Sequence, residues 1–242
     1  MHTIILGDGH LGWAVGTAAG ERGERTPVLG RPTFDRHDPA ALAAADVIVD
    51  ASVGEAVEAN VHAALDAGVR HLVIATTGWS QARDEVDAAL RAHGAAAVVA
   101  ANFSLGVNLF ARLVEVATDL FGTVHGFDPY LLEWHRRAKA DRPSGTALEL
   151  ASRIAAHHPR LTAADELETV SLRAGSSPGM HLVGFDAVGE TVEMRLTARD
   201  RSAYAQGVLA ATDWLRRASR TPGIHHFDAV VDELLGRPAV AA

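Results

Sequence analysis

Thr3-Ile4-Ile5-Leu6-Gly7-Asp8-Gly9-His10-Leu11-Gly12 decides how the first half of this 242-residue chain folds. Its short apolar, β-branched run reads as a buried strand. The glycines that follow allow a tight turn, close approach of backbone to a pyrophosphate, and tight helix–strand packing. Gly7, Asp8, Gly9, His10, Leu11 and Gly12 are therefore candidate dinucleotide-binding residues. The alternative is a tight turn that holds no ligand.

The pattern continues outward from this loop. Further strands are expected at Pro27–Leu29, Val47–Asp50, Leu72–Ala75 and Ala96–Ala100, with helices at Glu55–Ala67 and Gln81–His93. Ser80 is the expected N-cap of the latter. Strands separated by helices imply a parallel sheet covered on both faces. Loops after such strands line the ligand crevice. Thr76-Thr77-Gly78 and Ala101-Asn102-Phe103 are thus positions for a nicotinamide ring, or else ordinary polar turns. The second strand ends in Leu29-Gly30-Arg31-Pro32. An arginine there suits a 2′-phosphate and points to NADPH. Asp35, a few residues on, would instead serve a free ribose and NADH.

A different pattern follows a third helix at Val107–Phe121. Tyr130–His135 reads as a strand and Ala147–His157 as a helix, with Thr146 and Glu149 as a capping box. Glu168–Arg173, His181–Ala187 and Thr191–Ala198 are short runs bounded by glycines, which indicates an antiparallel or mixed sheet. Ser202–Arg217 is helical. The fold class is α/β: a Rossmann-type parallel sheet, then an α+β substrate and oligomerisation domain beginning near residue 104.

Chemistry concentrates in Glu133-Trp134-His135-Arg136-Arg137-Ala138-Lys139-Ala140-Asp141-Arg142-Pro143-Ser144-Gly145-Thr146-Ala147. His135 can give up a proton near neutral pH. Arg136, Arg137, Lys139 and Arg142 can hold an anion, or can form a solvated basic face. Ser144, Gly145 and Thr146 open a helix, whose free N–H groups and dipole favour a carboxylate or phosphate. A proton donor, cations and an anion cradle together fit protonation of an acidic small molecule. The pairs His157-His158 and His225-His226 lack the spacing of a zinc hydrolase and read as surface features, so no metal site is expected.

Composition bounds the partners. Basic residues number 22 against 30 acidic ones, for a net charge of −8, which disfavours nucleic acid and anionic membranes. Apolar residues make up 48% of the chain, enough for a full core. There is no cysteine, which excludes disulfides and thiolate metal sites and fits the cytoplasm. Neither a secretory leader nor a membrane span is expected.

These residues resemble the dihydrodipicolinate reductase family, now called 4-hydroxy-tetrahydrodipicolinate reductase, of bacterial diaminopimelate and lysine biosynthesis. The family signature Glu-x-His-His-x-x-Lys-x-Asp-x-Pro-Ser-Gly-Thr-Ala is met at Glu133, His135, Lys139, Asp141, Pro143, Ser144, Gly145, Thr146 and Ala147. The resemblance extends to Asp46–Ser52, Thr76-Thr77-Gly78, Asn102–Asn108, Arg173-Ala174-Gly175, Gly179 with His181, Phe185, Gly189-Glu190 and Arg201.

It implies a two-domain, usually tetrameric enzyme that uses NADPH or NADH. His135 would be the proton donor and Lys139 its catalytic partner. Arg136 and Ser144 to Thr146 would contact a small cyclic dicarboxylate. Gly7 to Gly12, Ala75, Thr76, Thr77, Ala100, Ala101, Asn102 and Phe103 would contact the cofactor. Phe227–Gly236 resembles the family's return to the first domain, giving a cofactor domain of 1–103 completed by 219–242 and a second domain of 104–218. The chain is a divergent member. Arg136 stands for the family's second histidine, Ala75 for a glycine, Met180 for a common glutamate and Leu196 for a late histidine. The phosphate loop is one residue shorter than the common form. These departures leave room for a paralogue acting on another cyclic imine or enamine acid, or for a cofactor sensor without turnover.

Overall fold

A computed structural model of the chain describes residues 2–30 and 39–237. The chain divides into two compact units, one of residues 1–105 with 201–242, the other of residues 106–200.

The first unit is built on six parallel strands: β1 (Thr3–Leu6), β2 (Val28–Leu29), β3 (Val47–Asp50), β4 (His71–Ile74), β5 (Ala96–Val99) and β10 (Gly223–His226). Their order is β10-β5-β4-β3-β1-β2. Successive strand residues point to opposite faces, and here both faces are buried. Ile5, Val47, Val49, Val73 and Val98 pack beneath α1 (His10–Glu21), α7 (Ser202–Arg217) and α8 (Phe227–Leu234). Ile4, Leu6, Ile48, Leu72 and Ile74 pack beneath α3 (Val57–Asp66) and α4 (Arg83–Ala92), with the short α2 (Pro39–Ala43) nearby in sequence. Buried, near-continuous apolar strands are what a parallel sheet requires.

Three local expectations change. Ser80 opens a short 3-10 turn, Ser80–Ala82, and makes no side-chain cap. The strand Gly223–His226 was not foreseen; its His225 stacks edge-on against Trp214. Helix Ser202–Arg217, placed by sequence with the second domain, lies in the first unit. Its Ala205, Val208, Leu209, Ala211, Trp214 and Leu215 join the first core, and Arg216 bonds Thr3 at 2.6 Å. Pattern alone shows that this helix has an apolar face but not which sheet receives it.

The second unit holds α5 (Leu105–Thr123, from its second residue), β6 (Asp128–His135), α6 (Gly145–His157), β7 (Glu168–Arg173), β8 (Met180–Ala187) and β9 (Glu190–Thr197). Its sheet runs β7-β6-β8-β9 and is mixed: β6 and β7 are parallel, the other pairs antiparallel. Phe110 and Val114 of α5, with Leu150 and Ile154 of α6, cover Leu131, Val183 and Phe185 on one face. No helix among the described residues is long and apolar enough to cross a membrane.

Candidate active site

The site in the second unit follows from strand register. Leu131, Glu133 and His135 alternate onto one face of β6. Leu131 lies in the core, but further along the strand the same face turns polar. In register beside Glu133 stand Ser171 of β7 and His181 of β8, and beside His135 stands Arg173. The Glu133 side chain is fully buried. Its Oε1 accepts from Arg173 Nη2 at 2.7 Å, Ser171 Oγ at 2.6 Å and the Ser144 backbone N–H at 3.0 Å. Burial pushes this carboxyl up, but the hydrogen bonds from Ser144, Ser171 and Arg173 outweigh it and bring the pKa to about 2. The group is therefore an anion through the neutral range.

His135 is buried, and its Nδ1 faces Glu133 Oε2 at 3.3 Å. Burial lowers its pKa, Glu133 opposes that, and the cations of Lys139 and Arg173 reinforce it. His181 stands edge-on to His135, its Nε2 is 3.2 Å from Ser144 Oγ, and burial together with His135 lowers its pKa to about 4. Lys139 is held by Asp141, with Nζ 2.8 Å from Oδ1, and Arg136 is exposed.

The anion cradle begins at Ser144. This residue, not Thr146, is the N-cap of α6: its backbone is extended and its Oγ accepts from Ala147 N. The cap therefore lies two residues before the expected Thr146, and with Ala147 at the third helical position Ser144 makes a simple N-cap rather than the expected capping box. Gly145 is exposed, and a β-carbon there would meet nothing within 4 Å. Gly145, the first residue of the helix, thus stands at the surface, where a carboxylate can approach a helix N-terminus.

The cofactor crevice lies in the first unit. Gly7 and Gly12 are tight: added β-carbons would lie 2.3 Å from Ala51 O and 1.9 Å from Gly7 O. At Gly9, which precedes α1, an added β-carbon meets nothing within 4 Å. The loop therefore packs on two glycines and presents the third to open space, as pyrophosphate approach requires. Beside it a cavity of about 420 Å3 is lined by Gly9, His10, Leu11, Ser52, Ala75, Thr76, Thr77 and Arg201, among others. Buried Asp50 ties its walls together: it accepts from Ser52 N and Oγ, Asn60 Nδ2 and Thr76 Oγ1. These residues fit a dinucleotide.

Not every expected contact lies there. Phe103 is a core residue, its ring tilted against that of Phe227 with centroids 5.0 Å apart, while its carbonyl oxygen abuts Gly207. Asn102 turns inward to accept Ser104 N at 2.8 Å. Ala100 is half-buried against the core and Ala101 exposed, and neither lines the cavity. Arg31 and Asp35 fall outside the described residues. His158, read as a surface residue, is buried, whereas His157 meets Asp119 at 2.9 Å on the surface.

Sequence reasoning gave no role to Asp50, Ser52, Asn60, Ser171, Arg173 or His181. A lone polar residue within a strand was the available signal, and it does not name its partners. Among the described residues, two clusters have ligand-type atoms within reach of one metal ion: buried Glu133, His135 and His181, and the more open Glu58, His62 and Glu85. In the first, Arg173 already supplies the countercharge.

A glycine loop at the first turn of a parallel sheet fits a dinucleotide; a buried histidine beside a helix N-terminus fits chemistry on a small acid. Together they define a nicotinamide-dependent reductase of two units. The profile "Dihydrodipicolinate reductase, N-terminus" matches residues 12–103, and "Dihydrodipicolinate reductase, C-terminus" matches residues 106–231. The 4-hydroxy-tetrahydrodipicolinate reductase of Halorhodospira halophila is 35% identical over 240 residues, covering 93% of this chain and 87% of the relative. That of Rhodopirellula baltica is 32% identical over 237 residues, covering 91% and 82%. The dipicolinate-bound dihydrodipicolinate reductase from Paenisporosarcina has the same fold, with a TM-score of 0.72 at 19% identity over 93% of this chain and 97% of that one. The chain belongs to the dihydrodipicolinate reductase family and is an oxidoreductase.

Proposed function

We propose that this chain reduces 4-hydroxy-tetrahydrodipicolinate to tetrahydrodipicolinate, with loss of water, in diaminopimelate and lysine biosynthesis. The observation that carries this reading is the Glu133 carboxylate, which bonds the N–H at the start of the anion-binding helix and lies 3.3 Å from the histidine. Proton donor and carboxylate cradle are thereby built on one joint.

When bound, the nicotinamide supplies a hydride. Gly7 to Gly12 hold the pyrophosphate, and Ala75 to Thr77 line the same crevice. The backbone N–H groups of Gly145 and Thr146, with the helix dipole, hold a substrate carboxylate. His135 delivers the proton that completes reduction. Lys139, kept in place by Asp141, adds positive charge beside the developing anion. We assign NADPH as the preferred cofactor on the strength of Arg31, with NADH as the alternative. Exposed apolar residues of the second unit, Leu113 and Leu120 on α5 with Val170 and Leu172 on β7, favour a homo-oligomer, with the family's tetramer as the expected form. The lack of cysteine accords with a cytoplasmic enzyme.

Turnover of freshly generated 4-hydroxy-tetrahydrodipicolinate, followed by cofactor oxidation, tests the reading. No turnover with either cofactor would remove it. Arg136 supports a second reading, a paralogue for another cyclic imine or enamine acid. Its planar, permanently charged fork replaces a titratable ring. A many-fold gain on this substrate in Arg136→His would favour that second reading.

A further inference from the structure

Glu133 stands out because it is buried, ionised and only half used. Its Oε1 takes three hydrogen bonds, whereas Oε2 takes none and faces two histidine nitrogens, His135 Nδ1 at 3.3 Å and His181 Nε2 at 3.7 Å. His135 Nδ1, 3.3 Å away, is also buried and has no hydrogen-bond partner. A carboxylate oxygen can only accept. The interaction across this gap is favourable only if Nδ1 carries the proton. The contact can tighten into a charge-assisted hydrogen bond when the ring becomes an imidazolium.

We propose that Glu133 is the positioning residue of this site: its Oε2 fixes His135 as the Nδ1–H tautomer, so that Nε2 is the nitrogen that gives up the proton, while its Oε1 fixes the start of the carboxylate-binding helix. This rests on the reading of His135 as proton donor. One rigid carboxylate then sets the distance between the donated proton and the substrate carboxylate. His135 enters the step as an imidazolium bonded to Glu133, gives its Nε2 proton to the substrate, and leaves as the neutral Nδ1–H ring. Glu133 keeps its charge throughout, because Arg173 and the two serines hold it ionised. The space beside Nε2 is kept by Gly179, where a β-carbon would come within 3.1 Å of that nitrogen.

The charged and titratable groups around His135 are Glu133 on its own strand, Lys139 and Asp141 on the following loop, Arg173 on β7 and His181 on β8. Lys139 and Arg173 disfavour the imidazolium, so Glu133 is the main group that supports it. E133Q keeps a carbonyl oxygen for Ser144 and Arg173 but removes this support.

The experiment compares pH profiles of kcat/KM for the wild type, E133Q and H135Q, with NADPH affinity as a control. For E133Q the alkaline limb should move to lower pH by about one unit or more, the usual effect of losing a nearby opposite charge. NADPH affinity should not change. A purely structural role would lower the whole profile without moving its limb, and that result overturns the proposal. Undiminished turnover in H135Q removes the proton-donor reading, and the proposal with it. If E133Q does not fold, nitrogen chemical shifts of His135 in the labelled wild type decide: Nδ1 protonated in the neutral ring supports the proposal, Nε2 protonated overturns it.

Discussion

His135 Nε2 lies 3.1 Å from the point that a β-carbon on Gly179 would occupy. That separation is tighter than an ordinary carbon–nitrogen contact, so a methyl group must displace the ring. The ring cannot retreat freely, because Glu133 and His181 back it. Gly179→Ala should lower kcat about tenfold, since small misplacements of a reacting group are costly. NADPH binding should persist. Unchanged kcat where chemistry limits the rate would show that the ring nitrogen near Gly179 is not the working one.

Replacing His135 itself should cost more. His135→Gln should lower kcat by about 10²–10⁴-fold, the range for a general acid. Steady-state kinetics with a solvent isotope control would show whether proton transfer has become limiting. Retention of full activity would be incompatible with its role.

Gly145→Pro is a selective probe of the anion cradle. Gly145 is the first helical residue after the Ser144 cap, a position where proline fits the helix and removes only an N–H. The fold should survive while KM for the dicarboxylate substrate rises about tenfold, the effect of losing a charge-assisted hydrogen bond of roughly 1.5–3 kcal/mol. An unchanged KM, with circular dichroism confirming an intact fold, would place the carboxylate elsewhere.

The fold was largely legible because its signals are local. Alternating apolar runs and helical stretches give the first sheet, and glycine spacing gives its loop. The proposed acid and the helix start beside it were legible as candidates for the same reason, being close together in one stretch. Glu133 stood inside the quoted motif, yet its work depends on Ser171, Arg173 and His181, which reach it only through strand register. The strand Gly223–His226 stayed hidden because its histidines interrupt the apolar signal, and the burial of the Phe103 side chain stayed hidden because loop position does not reveal that a side chain turns inward. The core placement of Ser202–Arg217 is a tertiary choice between two sheets.

Asp50→Ala should disturb the cofactor crevice without touching cofactor. It removes the acceptor shared by Ser52, Asn60 and Thr76. Each buried donor left unpaired costs about 1–3 kcal/mol. Urea unfolding should show lower stability, and fluorescence titration should show NADPH and NADH weakened by the same factor. A loss confined to one of them would mean that Asp50 senses the ribose rather than supports the walls.

Acid stability should be governed first by histidines that burial keeps neutral, His181 above all, with His71, His135 and His158 lowered in the same direction. The pKa of His181 falls from 6.5 to about 4 on folding, chiefly through burial, so it is folded as the neutral ring. The stability this carries is complete above pH 6.5 and is lost as pH falls from there toward 4, at about 1.4 kcal/mol per pH unit. Glu133, lowered from 4.5 to about 2, adds its own loss only at lower pH, between those two values. Thermal melting of the wild type should therefore weaken from pH 6.5 downward, and His181→Asn should flatten that decline. Parallel curves for the two proteins would rule out His181 as the titrating group.

The strand order has a consequence for synthesis on the ribosome. β5 ends at Val99, but its edge partner β10 begins only at Gly223, after the whole second unit. Until then β5 presents a bare, apolar edge, a template for pairing with other nascent chains. The helix Ser202–Arg217 that covers one face of the sheet is also still missing. The second unit is continuous in sequence and is free to close before the first. Translation that stops near residue 200 would therefore release a finished insert attached to an unfinished host, and such products should be cleared or should aggregate.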